Sequence, residues 1–156
     1  LPLFLHCRAA FKDFVGLVGP YLPKLPRRGL VHSFVGTSAQ MRAHVEMGFD
    51  VGVNGFSFQD GESLEMAREI PLERLQIETD APWGGIPAGS ELAKRYLANT
   101  PASPKSKKKD SFETGFMVKV RNESYTMERV AHLVAGFKGL GVEEVADVAR
   151  RNSVNM

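Results

Sequence analysis

The sequence predicts an α/β fold in which parallel strands are covered by helices. Short apolar runs alternate four times with segments of helical spacing, the pattern expected of successive β/α units. The runs show no clean polar alternation, as strands buried on both faces do not. The segments between them are long enough for the crossovers that parallel neighbours require.

In chain order, Leu3 to His6 reads as a buried strand and Ala9 to Val18 as a helix. "GPYLPKLPRRG" then interrupts the chain with three prolines. "LVHSF" at 30–34 is the second strand run. Ser38 is placed to cap a helix through "AQMRAHVEM", and Gly48 suits the left-handed residue just beyond its end. "FDVGVNG" at 49–55 is the third strand run. The helix "ESLEMAREI" stops before Pro71, because a residue preceding proline leaves the helical region. "RLQIETD" at 74–80 is the fourth strand run. From Ala81 to Tyr125 the pattern dissolves into Pro, Gly, Ser and Lys, a connection long enough to be functional or disordered. Two helices close the chain, "TMERVAHLVAGFKG" with Thr126 as its cap and then "VEEVADVARRN".

The 156 residues suit one domain with a real core. A formal charge of +2 does not by itself imply a nucleic-acid partner. The lone Cys7 excludes a disulfide within the chain and fits a reducing compartment. No apolar run is long enough to cross a bilayer, so no membrane partner is expected. The location expected is intracellular, cytoplasmic or nuclear, with a mitochondrial one left open.

Three of the four strand runs end in a potential metal ligand: His6, His32 and Asp80. Burial gains nothing from such endings, and in β/α architectures chemistry collects where strands end. Two imidazoles and a carboxylate suit Zn²⁺, Mn²⁺ or Fe²⁺ better than Ca²⁺. Arg8, directly after His6, can clamp a phosphate or pair with Glu78. Trp83 can stack on a base or cover the strand ends. The lysines at 105, 107, 108 and 109 can attract a phosphate backbone or form a solvated loop. His44 and His132 fall inside helix patterns and read as packing or surface residues.

"LPLFLHCR", "VHSF", "ETDAPW" and "VKVRNES", in this order, resemble the TatD family of metal-dependent deoxyribonucleases. His32 follows His6 by 26 residues, and Asp80 follows His32 by 48. The resemblance covers residues 1–156 as one partial TatD-like hydrolase domain. It implies a TIM-barrel type of fold, of which this chain supplies the last four β/α units, strands five to eight, and the C-terminal helices. It also implies hydrolysis of phosphodiester bonds in DNA, as a 3′→5′ exonuclease, with two divalent ions (Mg²⁺, Mn²⁺ or Zn²⁺). His6, His32 and Asp80 then match metal-binding positions, and Asp80 also accepts a proton from the attacking water. Arg8 stabilises charge on the phosphate, and Trp83 joins it in substrate binding. Glu78 and the Arg121, Asn122, Glu123 segment support the site from behind, with Ser124 where the family carries proline.

The family's His-x-His strand and its bridging glutamate have no counterpart in this sequence. The expectation is therefore a piece of a longer barrel, weakly active or inactive alone, whose open edges promote self-association. Two other readings stand beside the nuclease. One is a non-catalytic fragment that binds nucleic acid or a protein through the lysines and open edges. The other is a related small-molecule amidohydrolase, although no strand run here ends in the lysine such enzymes use as a bridge.

Overall fold

The structure is a computed structural model that describes all 156 residues. Strands β1 (Leu3–Leu5), β2 (Gly29–Val31), β3 (Asp50–Val53) and β4 (Leu75–Ile77) form one parallel sheet. Their spatial order is β1-β2-β3-β4, the same as their order in the chain. Crossovers between parallel strands are right-handed, so an unreversed strand order brings every helix to the same face. Helices α1 (Phe11–Val18), α2 (Ser38–Glu46) and α3 (Gly61–Glu69) are those crossovers. Beyond the sheet lie α4 (Glu91–Tyr96), α5 (Met127–Lys138) and α6 (Val142–Asn155), with α6 packed on both α5 and β4. The result is an arc of barrel wall rather than a doubly wound sheet.

Register divides the side chains of the sheet into two sets. Leu5, Val31, Val51 and Leu75 are brought into line by the pairing and share the helix-facing side. There they meet Met41, Met66, Leu133 and Val134 in the main apolar core. Phe4, Leu30, Asp50, Gly52 and Gln76 point the other way. On that inner side Asp50 is buried, and burial raises its carboxyl above the usual range. Gln76 Nε2 donates to Asp50 at 2.8 Å, and Arg74 Nη1 at 3.4 Å.

Several expected elements shift. The first strand run ends at Leu5, and β1 is not buried on both faces: Phe4 is 60% exposed. An edge strand with a single neighbour has no second layer over its inner side. Thr37, rather than Ser38, caps α2, through a capping box with Gln40. Gly48 does take the left-handed conformation past its end, at φ 89°. Thr126 occupies the N-cap position of α5, but its hydroxyl makes no capping bond. It lies 2.8 Å from Asn122 Oδ1 and from the Glu123 carbonyl instead.

The long connection is less bare than expected. Ser90 caps α4 by accepting from the Ala93 N–H at 3.1 Å, and Ser106–Lys107 (β5) pairs in parallel with Met117–Val118 (β6). Lys107 is thereby held, its ammonium over the Phe116 ring and against Glu113. No helix is long and apolar enough to cross a membrane.

His44 is a core residue. It is fully buried, edge-on to Phe11, Phe14 and Phe34, and neither ring nitrogen has a hydrogen-bond partner. Burial alone pushes its pKa down to about 4. Folding therefore favours the neutral ring, and its contribution is complete above the ordinary histidine range near 6.5 and lost as pH falls through about 4. Between pH 7 and pH 5 this residue is expected to cost about 2 kcal/mol of stability. Urea unfolding at the two pH values measures it. An unchanged acid slope in His44→Leu would place the effect elsewhere.

Candidate functional site

The two-residue period of the strands carries on past their ends. Phe4 pairs with Leu30, so His6 and His32, two residues further, emerge side by side on the inner face. Their rings meet edge-on with centroids 4.8 Å apart. Gln76 faces inward in β4, and Glu78 follows it on the same side. The backbone keeps the ladder going: the His32 N–H donates to Leu5 at 2.8 Å, and the Glu78 N–H to Val53 at 2.9 Å.

His32 is the centre of the cluster. Its Nε2 lies 3.1 Å from Asp80 Oδ1, and its Nδ1 lies 2.5 Å from Glu78 Oε2. The second contact lacks hydrogen-bond alignment, so Nδ1 remains a buried nitrogen without a partner, as does Glu78 Oε1. Glu78 Oε2 accepts from the Ser33 N–H at 3.1 Å. Burial pushes the Glu78 pKa up to about 7; the Ser33 bond opposes the rise and the Asp80 charge adds to it. Burial lowers His32, against the pull of Asp80. Both shifts favour neutral side chains with lone pairs available.

Gly52 makes room for this pair. A Cβ at Gly52 would lie 1.9 Å from Glu78 Oε1, so the small residue in β3 is a steric requirement of the carboxylate beside it. Asn54, two residues on, ties the neighbouring strand ends together. Its Nδ2 donates to Ser33 Oγ at 2.9 Å, and its Oδ1 accepts from the Phe56 N–H at 2.9 Å. Ser33 and Asp80 both sit at positive φ, 49° and 54°. This is sparsely populated backbone for residues other than glycine, and at functional sites it is held by surrounding contacts.

Asn122 joins the late segment to the end of β4. Its Nδ2 donates to the Thr79 carbonyl at 2.8 Å, and its N–H donates to the Pro82 carbonyl at 2.9 Å. Glu123 makes no side-chain hydrogen bond, and Arg121 is exposed with no carboxylate partner. Arg8 does not pair with Glu78; its guanidinium stands 5.6 Å from the centroid of the Phe56 ring. Trp83 is 69% exposed and lines a cavity of about 530 Å³ with Arg121 and Asn122. His132 lies on α5, 3.8 Å from Glu128.

The structure thus brings His32, Asp80 and Glu78 together and sets His6 beside them. No three histidine, cysteine, aspartate or glutamate side chains converge as a metal-holding group. In particular, the His32 nitrogen facing Asp80 is engaged by that carboxylate. The donor chemistry nevertheless fits a divalent ion: imidazole and carboxylate groups lie in mutual contact, and two buried polar atoms lack partners. Gly52 and Asn54 were not among the residues singled out from sequence. The signal was present in "VGVNG", a strand end carrying a glycine and then a polar side chain two positions on.

The role of Gly52 is testable by a double-mutant cycle. Gly52→Ala alone is expected to cost about 1–3 kcal/mol, as overpacking does. In a Glu78→Ala background the same change is expected to cost little, because its clash partner is gone. Equal costs in the two backgrounds, by urea unfolding, would reject the steric coupling.

Comparison with known proteins shows which family the chain resembles. The family model for TatD related DNase matches residues 1–156. The chain is 43% identical over 159 residues to the "Deoxyribonuclease Tat-D" of Schizosaccharomyces pombe, covering all of this chain and 49% of that protein. It is 32% identical over 156 residues to the "3'-5' ssDNA/RNA exonuclease TatD" of Pantoea ananatis, covering 98% of this chain and 50% of that protein. The chain therefore spans about half the length of the curated relatives it matches. Among solved structures, a TatD family hydrolase from Entamoeba histolytica superposes with TM-score 0.89 at 33% identity, over all of this chain and 50% of that one. An uncharacterized amidohydrolase from Saccharomyces cerevisiae gives 0.88 at 31% identity, over 99% and 53%. By a family match that runs its full length, this chain belongs to the TatD related DNase family.

Proposed function

We propose that this chain carries part of the active site of a metal-dependent phosphodiesterase acting on DNA. The observation that supports it is the inward convergence of His32 with Asp80 and Glu78, with His6 alongside. His6, His32 and Asp80 would hold a divalent ion, Mg²⁺, Mn²⁺ or Zn²⁺, which supplies Lewis acidity toward the phosphate. Asp80, in contact with His32 Nε2 and less buried than it, is the group that takes a proton from an attacking water. Glu78 stands against the other side of the His32 ring and supports the site from behind. Arg8, exposed and free of carboxylates, supplies positive charge for the phosphate.

Calorimetric titration of this chain with Mn²⁺ or Zn²⁺ tests the metal assignment. Stoichiometric binding is expected, with His32→Ala and Asp80→Ala each reducing affinity by at least ~10-fold. In a protein spanning the length of the relatives, either change is expected to lower EDTA-sensitive DNA hydrolysis by on the order of 100-fold or more. Hydrolysis that survives both substitutions would overturn the reading.

A second reading has an observation of its own. Lys105, Lys108 and Lys109 are exposed at the β5–β6 ribbon and make no ion pair. They suit a fragment that holds nucleic acid without cleaving it, and DNA binding that is salt-sensitive yet indifferent to EDTA would favour that alternative.

β1 and β4 each pair on one side only, which supports self-association through those edges. Light scattering on this chain at tens of micromolar is expected to show dimers or larger species, and a monodisperse monomer would remove the proposal.

A further inference from the structure

Pro82 and Trp83, in the turn that follows Asp80, line the cavity of about 530 Å³. Its volume is in the range of small-molecule sites. Three features of its lining stand apart from ordinary surface. Trp83 presents its indole largely to solvent, although such a large apolar ring is ordinarily covered. Arg121 and Arg129 both line the cavity, and neither guanidinium has a carboxylate or carbonyl partner anywhere in the molecule. Pro82, Ile86 and Met117 give the remaining wall an apolar character.

The walls are also fixed. The backbone N–H of Trp83 donates to the Asp80 carbonyl at 2.8 Å, so the turn that carries the indole is closed onto the residue that ends the β4 run. Asn122 bonds to Thr79 and Pro82 and holds Arg121 next to that turn. Thr126 lies 2.8 Å from Asn122 Oδ1 and sits at the start of α5, whose first turn carries Arg129. The aromatic surface and the two positive charges therefore belong to one framework, anchored to the same strand end as the reactive cluster.

An exposed indole, a lipid-like wall and two unpaired guanidiniums suit a ligand with a flat ring at one end and a phosphate at the other. We propose that this cavity is a nucleotide subsite, in which the base stacks on Trp83 and Arg121 and Arg129 hold the adjoining backbone phosphate. Resting on the phosphodiesterase reading above, it makes these three positioning residues: they set which bond of the strand is presented to Asp80 and His32. Stacking requires an unpaired base, so the occupant is a nucleotide of a single strand or a frayed end.

Trp83 is the single tryptophan of the chain, so its fluorescence reports on this cavity alone. The test is a titration of the 156-residue chain with a short single-stranded oligodeoxynucleotide in EDTA, where binding is read without hydrolysis. Saturable quenching is expected. An abasic strand of equal length is expected to leave the emission unchanged. Arg121→Ala and Arg129→Ala, both solvent-accessible substitutions, are each expected to weaken binding by ~10-fold, and Trp83→Ala, followed by anisotropy of a labelled strand, by a similar or larger factor. Absence of quenching, or equal quenching by the abasic strand, overturns the subsite, as do arginine variants that bind like the parent. The two readings separate cleanly. Metal-dependent hydrolysis that needs His32, without Trp83 quenching, would remove the subsite and leave the phosphodiesterase standing. Quenching with no hydrolysis at all would do the reverse.

Discussion

The site depends on one constraint, the parallel register that runs unbroken across the four strands. Each strand turns alternate side chains to opposite faces, and pairing fixes which residues line up. With Phe4 opposite Leu30 and Gly52 opposite Gln76, the polar residues just beyond the strands have no choice of face. His6, His32 and Glu78 project inward, while Leu5, Val31, Val51 and Leu75 take the helix side. A slip of one residue in any pair would turn a histidine into the helix layer and an apolar residue into the site.

The cluster this produces is dry enough to alter its own chemistry. Burial disfavours charge on both His32 and Glu78, and only one backbone N–H, from Ser33, compensates the glutamate. Leaving Nδ1 and Oε1 unpartnered inside a protein is costly. Both atoms stand at the strand ends, beside the contact between His32 and Asp80. The supporting contacts are local and short. Gly52 withdraws its bulk from Glu78, Asn54 holds Ser33, and Asn122 holds Thr79, the residue before Asp80.

A different kind of core lies behind the sheet. His44 shows the contrast with His32 on one chain: both are withdrawn from water, but His44 is surrounded by phenylalanine rings and has no carboxylate near it. It is a packing residue with a polar liability. Position relative to the strand ends, rather than residue type, separates the two histidines.

Much of this was legible from the sequence itself. Alternating apolar runs and helical segments determined the α/β class, because those periods follow from backbone geometry. The endings "FLH", "LVH" and "ETD" marked His6, His32 and Asp80, because polar residues at the ends of apolar strands gain nothing from burial. Four motifs in order were enough to indicate the family. What only the tertiary structure decided were relations between distant segments. Glu78 rather than His6 has the closer contact with His32, and Gly52 is required to be small because of a carboxylate 26 residues later. Arg8 turns to Phe56 instead of Glu78, and Arg129 shares a cavity with Trp83. Local sequence specifies period and termini, but register and the packing of loops are set by contacts between residues far apart in the chain, and no local pattern encodes those distances.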